Sequence, residues 1–335
     1  MSMDQDTPPA SAPAIDRRFD QVRTVIDALV AEAGKIYVGQ GAFVRLTLAA
    51  LFAGGHVLIE SVPGLGKTLL VRILGETLGC RFSRIQFTAD LMPSDITGQP
   101  VFDARTQEFR FRPGPVFTQI LLADEINRAP AKTHAALLEI MQEGCVTVDG
   151  TTHRIEPPFL VLATQNPLES EGTYSLPEAQ LDRFLFKIVV DYPTAAEEDD
   201  ILRLHCRPQE VQQQVSGSIR TLLDPAKVLT VQRLCRQVKV DDRVISYVNA
   251  IVRATREWPA FAVGASPRAG IALVSAARVL AAFAGRSYAI PDDVRELVLP
   301  ALRHRVILAP EAEVAGETTD GCLASLLSSV EVPRL

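Results

Sequence analysis

One stretch of the chain, SVPGLGKT, has residue types and spacing suited to binding phosphate. Gly64 and Gly66 would let backbone N–H groups curl inward around an anion, and the helix that follows would add its partial positive charge. Lys67 would reach the β- and γ-phosphates, and the Thr68 hydroxyl would hold Mg²⁺. The pattern G-x-x-x-x-G-K-[ST] is met except at its first position, where Ser61 replaces glycine. A glycine-rich turn that binds nothing is the alternative, but the lysine, the threonine and the flanking elements together favour a nucleotide site.

Polar residues that follow two apolar runs could supply the rest of a hydrolytic site. Asp124 and Glu125 follow the run 119–123 (QILLA); Asp124 suits binding Mg²⁺ indirectly, through the metal's own ligands, and Glu125 suits positioning and polarising the attacking water. Asn166 follows the run 159–163 (FLVLA) and could hydrogen-bond the water or the γ-phosphate, although asparagine before proline is also a common turn residue. In open α/β sheets, ligands bind at the carboxyl ends of the strands. These side chains are therefore expected to face the phosphate loop.

The elements that must position these groups alternate between strand and helix. Apolar runs predict buried strands, and apolar residues at helical spacing predict amphipathic helices. The predicted strands are 56–60, 82–87, 119–123, 159–163 and 185–190, and the predicted helices are 16–30, 43–52, 67–78 and 133–142. Two hairpins are predicted within this region, at 101–111 and at 146–155. Phe102, Phe109 and Phe111 alternate along the first hairpin, either as core residues or as an exposed contact edge.

Beyond Tyr192 and Pro193 the strand pattern stops, and only helical stripes follow. These stripes cover 195–205, 228–238, 241–258, 267–284 and 291–307. Such a change in pattern marks a second domain. Residues 1–14 are rich in proline, serine, alanine and aspartate, which predicts a disordered leader. The predicted organisation is therefore a leader at 1–14, an α/β nucleotide-binding domain with two hairpin inserts at 15–192 and a helical domain at 193–335.

Composition argues against several classes of protein. The net charge of −6 argues against an extended nucleic-acid-binding surface, though not against a local basic pore. The five cysteines show no C-x-x-C pattern, which is typical of reduced thiols in a cytosolic protein. The most apolar stretch, 270–285, is short and contains Arg278, so it cannot span a bilayer. We therefore expect a cytoplasmic protein without membrane insertion, and we do not expect a nucleic-acid partner.

Five motifs occur in an order that resembles the MoxR family of AAA+ ATPases: VPGLGKT, LLADEINRAP, ATQNP, LPEAQLDRF and GASPRA. The resemblance covers roughly residues 35–310, nearly the whole chain after the leader. It implies an α/β P-loop NTPase core, with a parallel sheet and helices on both faces, followed by an all-helical lid domain. It also implies a homo-oligomeric ring, commonly a hexamer, that uses ATP and Mg²⁺.

The resemblance also assigns roles to single residues. Asp124 and Glu125 correspond to the Walker B pair, Asn166 to sensor 1, Arg268 to sensor 2 and Arg183 to the arginine finger of the next subunit. Considered alone, either arginine could be a solvated surface residue. The nucleotide-contacting residues that the same motifs imply are Val38, Gly39, Pro63, Gly64, Leu65, Gly66, Lys67, Thr68 and Leu69. The first two match the family's adenine-contacting segment, although the residues alone are equally compatible with a plain turn between helices.

These patterns predict a Mg²⁺-dependent ATPase in which water attacks the γ-phosphate. The resemblance implies chaperone-like remodelling or maturation of client proteins or metalloenzyme complexes, with a von Willebrand factor A domain protein as partner. Arg128 is a candidate intersubunit contact. Two alternatives stay open. Arg105, Arg110 and Arg112 on the first hairpin would suit a nucleic-acid-stimulated motor, and a nucleotide-gated scaffold would bind partners with little turnover.

Overall fold

The computed structural model describes residues 17–62, 64–166, 174, 176–206 and 217–334. The leader and the nucleotide contact predicted for Pro63 lie outside these residues. The strands are β1 (Val57–Ser61), β2 (Phe82–Gln86), β3 (Gly98–Asp103), β4 (Glu108–Pro113), β5 (Ile120–Asp124), β6 (Cys145–Val148), β7 (Thr151–Arg154), β8 (Leu160–Gln165), β9 (Phe186–Val190), β10 (Phe261–Val263) and β11 (Ile307–Leu308). The helices are α1 (Arg17–Gly34), α2 (Gly41–Ala53), α3 (Lys67–Leu78), α4 (Pro93–Thr97), α5 (Ala131–Glu143), α6 (Glu178–Leu181), α7 (Ala195–His205), α8 (Pro225–Cys235), α9 (Asp242–Glu257), α10 (Pro267–Phe283), α11 (Pro291–Leu302), α12 (Pro310–Val314) and α13 (Thr319–Ser329).

A five-stranded parallel sheet in the order β2-β5-β8-β1-β9 forms the centre of the fold. Every residue of β5 is buried, as expected when helices cover both faces of a parallel sheet. Within β1, Val57 and Ile59 pack into the apolar cluster that contains α1, α2 and α3, whereas Leu58 packs into the cluster that contains α5. Successive strand residues point to opposite faces, so each face has its own core. This arrangement confirms the predicted α/β core.

The C-terminal part of the described chain is helical, as predicted, with one addition. β10 and β11 pair as a short antiparallel ribbon, which the sequence pattern did not reveal because strands of three and two residues are too short to show periodicity. The helix predicted over 291–307 ends at Leu302. The apolar stretch within α10 is a packed core helix, in which Ala276 and Leu280 are almost fully buried. In the described parts of the chain, none of the helices combines the length and the apolar composition of a bilayer-spanning segment.

Both predicted hairpins project from this core. β3 pairs with β4, and β6 pairs with β7. Phe102 and Phe109 face each other near the tip of the first hairpin, with ring centroids 5.3 Å apart, and they are 52% and 73% exposed. Phe111 instead stacks on His153 of the second hairpin at a centroid distance of 3.9 Å. The first two phenylalanines thus form an exposed edge, and the third joins the two hairpins.

His56, the residue before β1, is a buried structural histidine. Its Nδ1 accepts a hydrogen bond from the backbone N–H of Val161 at 3.1 Å. Nε2 must therefore carry the proton, and it donates to the carbonyl oxygen of Met141, also at 3.1 Å. Burial lowers the pKa of His56 to about 4, because a charged imidazole would lose its hydration. The folded state therefore requires the neutral ring.

We expect the free energy of unfolding to depend on the pH through His56. The folded pKa is about 4 and the ordinary value is 6.5. The stabilisation is therefore fully present above pH 6.5 and is lost as the pH falls from 6.5 to 4, by about 3 kcal/mol at most. Urea unfolding at a series of pH values would measure this change in the free energy of unfolding. His56→Gln should remove this part of the pH dependence, while the exposed His205→Gln should not; equal slopes in wild type and His56→Gln would refute the assignment.

Candidate functional site

The phosphate loop joins β1 to α3 with the backbone geometry that anion binding needs. Gly64 and Gly66 have φ values of 90° and 72°, in the left-handed region that glycine tolerates best. Gly66 is also the N-cap of α3, so the unpaired N–H groups of the first helical turn lie at the loop. The loop therefore forms in this chain although its first motif position is occupied by serine.

Ser61 has a contact that the sequence did not suggest. Its side-chain hydroxyl lies 2.9 Å from Nζ of Lys67, and the ammonium group also approaches the carbonyl oxygen of Val62 at 3.5 Å. The pKa of Lys67 lies below its ordinary value, because partial burial outweighs the opposing effect of the charges on Asp124 and Glu125. Ser61 thus holds a partly desolvated cation against the loop with neutral oxygen partners, a state suited to receiving phosphate.

Asp124 and Glu125 lie at the carboxyl end of β5, where Thr164 of β8 contacts both. The Thr164 hydroxyl donates to Oδ1 of Asp124 at 2.6 Å and accepts the backbone N–H of Glu125 at 2.8 Å. Oδ2 of Asp124 accepts hydrogen bonds from Nη2 and Nε of Arg84 at 2.8 and 3.2 Å. Glu125 has φ 55° and ψ 51°, an uncommon left-handed conformation for a residue with a side chain. The backbone of the acidic pair is therefore held in one orientation.

The Glu125 carboxylate is itself held by two side chains. Its Oε2 accepts a hydrogen bond from Nε2 of Gln86 at 2.7 Å and pairs with Nε of Arg128 at 3.0 Å. Arg128, a candidate intersubunit contact in the sequence, therefore contacts the acidic pair of its own chain. Sequence reasoning missed both Gln86 and Arg84. Their only signal is that two polar residues occupy alternate positions, at the centre and the end of β2, which neighbours β5.

The sheet order brings the remaining predicted residue beside the others. β8 lies between β1 and β5, so Asn166, which follows β8 directly, lies between the phosphate loop and the acidic pair. Asn166 is only 8% exposed. One edge of the sheet thus presents a cation, a buried amide and two carboxylates next to each other.

A cavity of about 140 Å³ adjoins the phosphate loop and could hold a nucleobase. Val38, a predicted nucleotide contact, lines it, and so does Leu65 of the loop, whose carbonyl oxygen accepts a hydrogen bond from the Tyr37 hydroxyl at 3.1 Å. Gly39 does not line it; a Cβ at Gly39 would lie 2.4 Å from the Glu197 side chain, so this glycine allows α7 to approach. Other lining residues are Ile36, Gln40, Leu69, Pro193, Ile201, Leu204 and His205. The sequence patterns did not predict that residues of α7 would line this cavity.

Arg183 and Arg268 lie together, away from the phosphate loop. Both line a cavity of about 320 Å³ with Gly54 and Gly55, which precede β1, whereas the phosphate loop follows β1. The five residues of β1 span about 16 Å. Nη1 of Arg183 donates to the carbonyl oxygen of Leu138 at 2.7 Å, and Arg268 is exposed at the start of α10. The two arginines therefore lie at the opposite end of the sheet from the phosphate loop of their own chain.

A buried ion pair fixes these two arginines relative to each other. Nε of Arg305 lies 2.7 Å from Oδ1 of Asp182, and the Arg305 side chain is only 4% exposed. Arg305 also donates to the carbonyl oxygen of Phe184 at 2.7 Å. Oδ2 of Asp182 accepts a hydrogen bond from the hydroxyl of Ser266, two residues before Arg268, at 3.2 Å. Asp182 thus contacts residues near both ends of this part of the helical domain and helps to join it to the segment that carries Arg183.

The donor set at the sheet edge fits a magnesium ion that arrives with a nucleotide. Among the described residues, no group of three or more His, Cys, Asp or Glu could enclose a metal ion. Mg²⁺ is usually bound by one or two protein oxygens together with substrate phosphates. Thr68, the second residue of α3, and Asp124 could supply such oxygens.

Comparisons of the sequence and of the fold with known proteins agree with each other and with this site. Residues 56–186 match the family model described as the ATPase family associated with various cellular activities (AAA), and residues 253–323 match the AAA lid domain. The chain is 45% identical to the uncharacterized protein YeaC of Bacillus subtilis over 314 residues, which cover 94% of this chain and 97% of YeaC. It is 42% identical to Chaperone MoxR1 of Mycobacterium tuberculosis over 322 residues, which cover 92% of this chain and 83% of MoxR1. A crystal structure from Cytophaga hutchinsonii matches with a TM-score of 0.88 at 38% identity, covering 95% of this chain and 98% of that one.

Proposed function

Because this chain belongs to the MoxR family of AAA+ ATPases, we propose that it hydrolyses ATP with Mg²⁺ and uses the cycle to remodel client proteins. The observation that carries this proposal is the single sheet edge that holds Lys67, Asn166 and the Asp124–Glu125 pair beside a cavity suited to a base. The chaperone name of the mycobacterial relative supports a role in acting on other proteins.

The proposed chemistry is in-line attack of water on the γ-phosphorus. Glu125 orients and polarises the water, Asn166 hydrogen-bonds it or the γ-phosphate, and Lys67 stabilises the charge on the phosphate oxygens. Mg²⁺, held through Thr68 and Asp124, supplies further charge neutralisation. Gln86 and Arg128 both contact Oε2 of Glu125, so the water would be polarised through the other carboxylate oxygen, Oε1.

Each active site is proposed to be shared between two subunits of a ring, commonly a hexamer in this family. Head-to-tail contacts in a closed ring bring one surface of each subunit against a different surface of its neighbour. Arg183 would then reach the nucleotide of the next subunit. Arg268 is proposed to act with it on that same nucleotide, since both arginines line one cavity at the end of β1 remote from the phosphate loop of their own chain.

The hairpins are proposed to contact the client. Two exposed phenylalanines of the first hairpin, Phe102 and Phe109, offer apolar surface that the fold itself does not cover. A von Willebrand factor A domain partner, a cytoplasmic location and domain boundaries at 15–192 and 193–335 complete the proposal, and these rest on the family resemblance and the sequence patterns.

Lys67→Ala should weaken ATP binding and abolish turnover together. Charge-assisted hydrogen bonds to phosphate are lost, so we expect affinity to fall about tenfold to a hundredfold. Calorimetry with a non-hydrolysable ATP analogue and Mg²⁺ would measure the affinity. Lys227→Ala is a matched control, because Lys227 is 65% exposed on α8. Wild-type affinity in Lys67→Ala would remove the nucleotide assignment, and with it the proposed function.

A further inference from the structure

Arg84 contacts the carboxylate that is proposed to bind Mg²⁺, yet it belongs to none of the motifs in the sequence. It lies at the centre of β2, and its Nε and Nη2 are 3.2 and 2.8 Å from Oδ2 of Asp124. The other carboxylate oxygen, Oδ1, accepts the hydroxyl of Thr164 at 2.6 Å. Both oxygens of Asp124 are therefore engaged, one of them by a guanidinium cation.

This contact limits how Asp124 can receive a metal ion. A carboxylate oxygen offers about two lone-pair positions, and Oδ2 already has two donors. A metal ion, or a water molecule bound to one, that approaches this oxygen must displace Arg84. The Asp124 side chain is 11% exposed and that of Arg84 is 48% exposed, so the arginine can leave toward solvent while the aspartate cannot. While the pair persists, the charge that would attract a cation is neutralised.

Gln86 gives the guanidinium a second partner. Nη2 of Arg84 donates to Oε1 of Gln86 at 2.9 Å, on the same strand. The arginine is thus directed along β2 toward the carboxyl end of β5, and it keeps a hydrogen bond when it leaves Asp124. The half-exposed guanidinium could therefore exchange between a bound and a released position without losing every hydrogen-bond partner.

Building on the proposed function, we propose that Arg84 is a positioning residue that competes with Mg²⁺ for Asp124. The guanidinium occupies Oδ2, a carboxylate oxygen that the metal ion or its bound water would need. Free Mg²⁺ would meet a neutralised carboxylate and few other oxygen ligands, whereas Mg²⁺ carried by ATP brings phosphate oxygens with it. Arg84 thereby restricts metal binding at Asp124 to the metal–nucleotide complex.

The Mg²⁺ dependence of nucleotide binding tests this competition at equilibrium, without turnover. The affinity of the full chain for a fluorescent non-hydrolysable ATP analogue is measured at a series of free Mg²⁺ concentrations. Arg84→Gln should lower the half-saturating Mg²⁺ concentration about twofold to fivefold, the range expected for an ion pair with an exposed partner. Arg84→Lys, which keeps the charge but not the planar fork, should lower it by a smaller factor. Arg81→Gln, at the residue directly before the same strand and in a pair whose side chains are both 66% exposed, should leave it unchanged.

Asp124→Asn separates failure of this inference from failure of the proposed function. If Asp124→Asn leaves the Mg²⁺ dependence unchanged, Asp124 is not the metal contact, and the proposed metal site itself is wrong. If Asp124→Asn raises the half-saturating concentration but Arg84→Gln leaves it unchanged or also raises it, only the competition by Arg84 is overturned. In the Asp124→Asn background, Arg84→Gln should cause no further shift. Should Arg84→Gln fail to fold, Arg84→Lys decides by the same measurement, and an unchanged value overturns the inference.

Discussion

Glu125→Gln is expected to bind ATP with wild-type affinity and to hydrolyse it at least about a hundredfold more slowly, since a positioned general base contributes about 10²- to 10⁴-fold to rate. The substitution removes one negative charge and keeps the size of the side chain, so the loop and the metal contacts stay intact. Calorimetric affinity and steady-state phosphate release would separate the two effects. Glu139→Gln, on the exposed side of the nearby helix α5, is the matched control and should retain wild-type turnover.

The result of this comparison also decides between an ATPase and a scaffold. Turnover in Glu125→Gln within a few-fold of wild type would mean that another residue positions the water. Negligible turnover in the wild-type ring itself would instead favour the nucleotide-gated scaffold. Prolonged retention of ATP by Glu125→Gln would provide a trapped ring with which clients could be captured.

Arg183→Ala is expected to lower turnover by about 10³- to 10⁵-fold, the effect of an arginine finger in the systems where it is known. Because Arg183 lies at the end of the sheet opposite its own phosphate loop, the defect should be repaired by a neighbour that keeps the arginine. A Glu125→Gln subunit is such a neighbour. In a randomly mixed ring with equal amounts of both inactive variants, about one interface in four joins an intact Glu125 to an intact Arg183. Mixing should therefore restore on the order of a quarter of wild-type activity.

The control is a mixture of two inactive variants whose substitutions both lie on the same side of the shared active site. Lys67→Ala and Glu125→Gln both damage the site of their own subunit, so mixing them should restore nothing. If Arg183 acted on the nucleotide of its own chain, the mixture of Arg183→Ala with Glu125→Gln would stay as inactive as its parents. That result, with subunit exchange verified by fluorescence, would remove Arg183 from the finger role.

The phosphate loop and the main elements could be predicted from the sequence because their information is local. Gly64 and Gly66 are needed where the backbone has positive φ, and Lys67 begins a helix whose apolar spacing ends at the left-handed Gly79. Continuous apolar runs such as β5 and β8 signal strands buried on both faces. Each of these patterns depends on neighbours within a few residues, so no tertiary contact is needed to recognise it.

The partners of the acidic pair depend on which strands become neighbours. Arg84 and Gln86 lie 40 and 39 residues before the carboxylates that they contact. Nothing in their own segment indicates that β2 pairs with β5, because strand order is decided by how the helices pack on the sheet. In the sequence, Ser61 is only a departure from the phosphate-binding motif. The structure shows that its hydroxyl accepts a hydrogen bond from the Lys67 ammonium.

The sequence by itself determined that Arg183 and Arg268 occur in motifs, but only the tertiary structure decided where they lie. The two residues are far apart in the chain, and they meet because the buried Arg305–Asp182 pair attaches the helical domain to the segment before β9. In this attachment the Arg305 guanidinium also donates to the carbonyl oxygens of Phe184 and Leu185, about 120 residues earlier in the chain. Contacts over such a separation leave no recognisable pattern in either local sequence. The end of the sheet at which each arginine lies is decided by packing, and packing depends on contacts between residues distant in sequence.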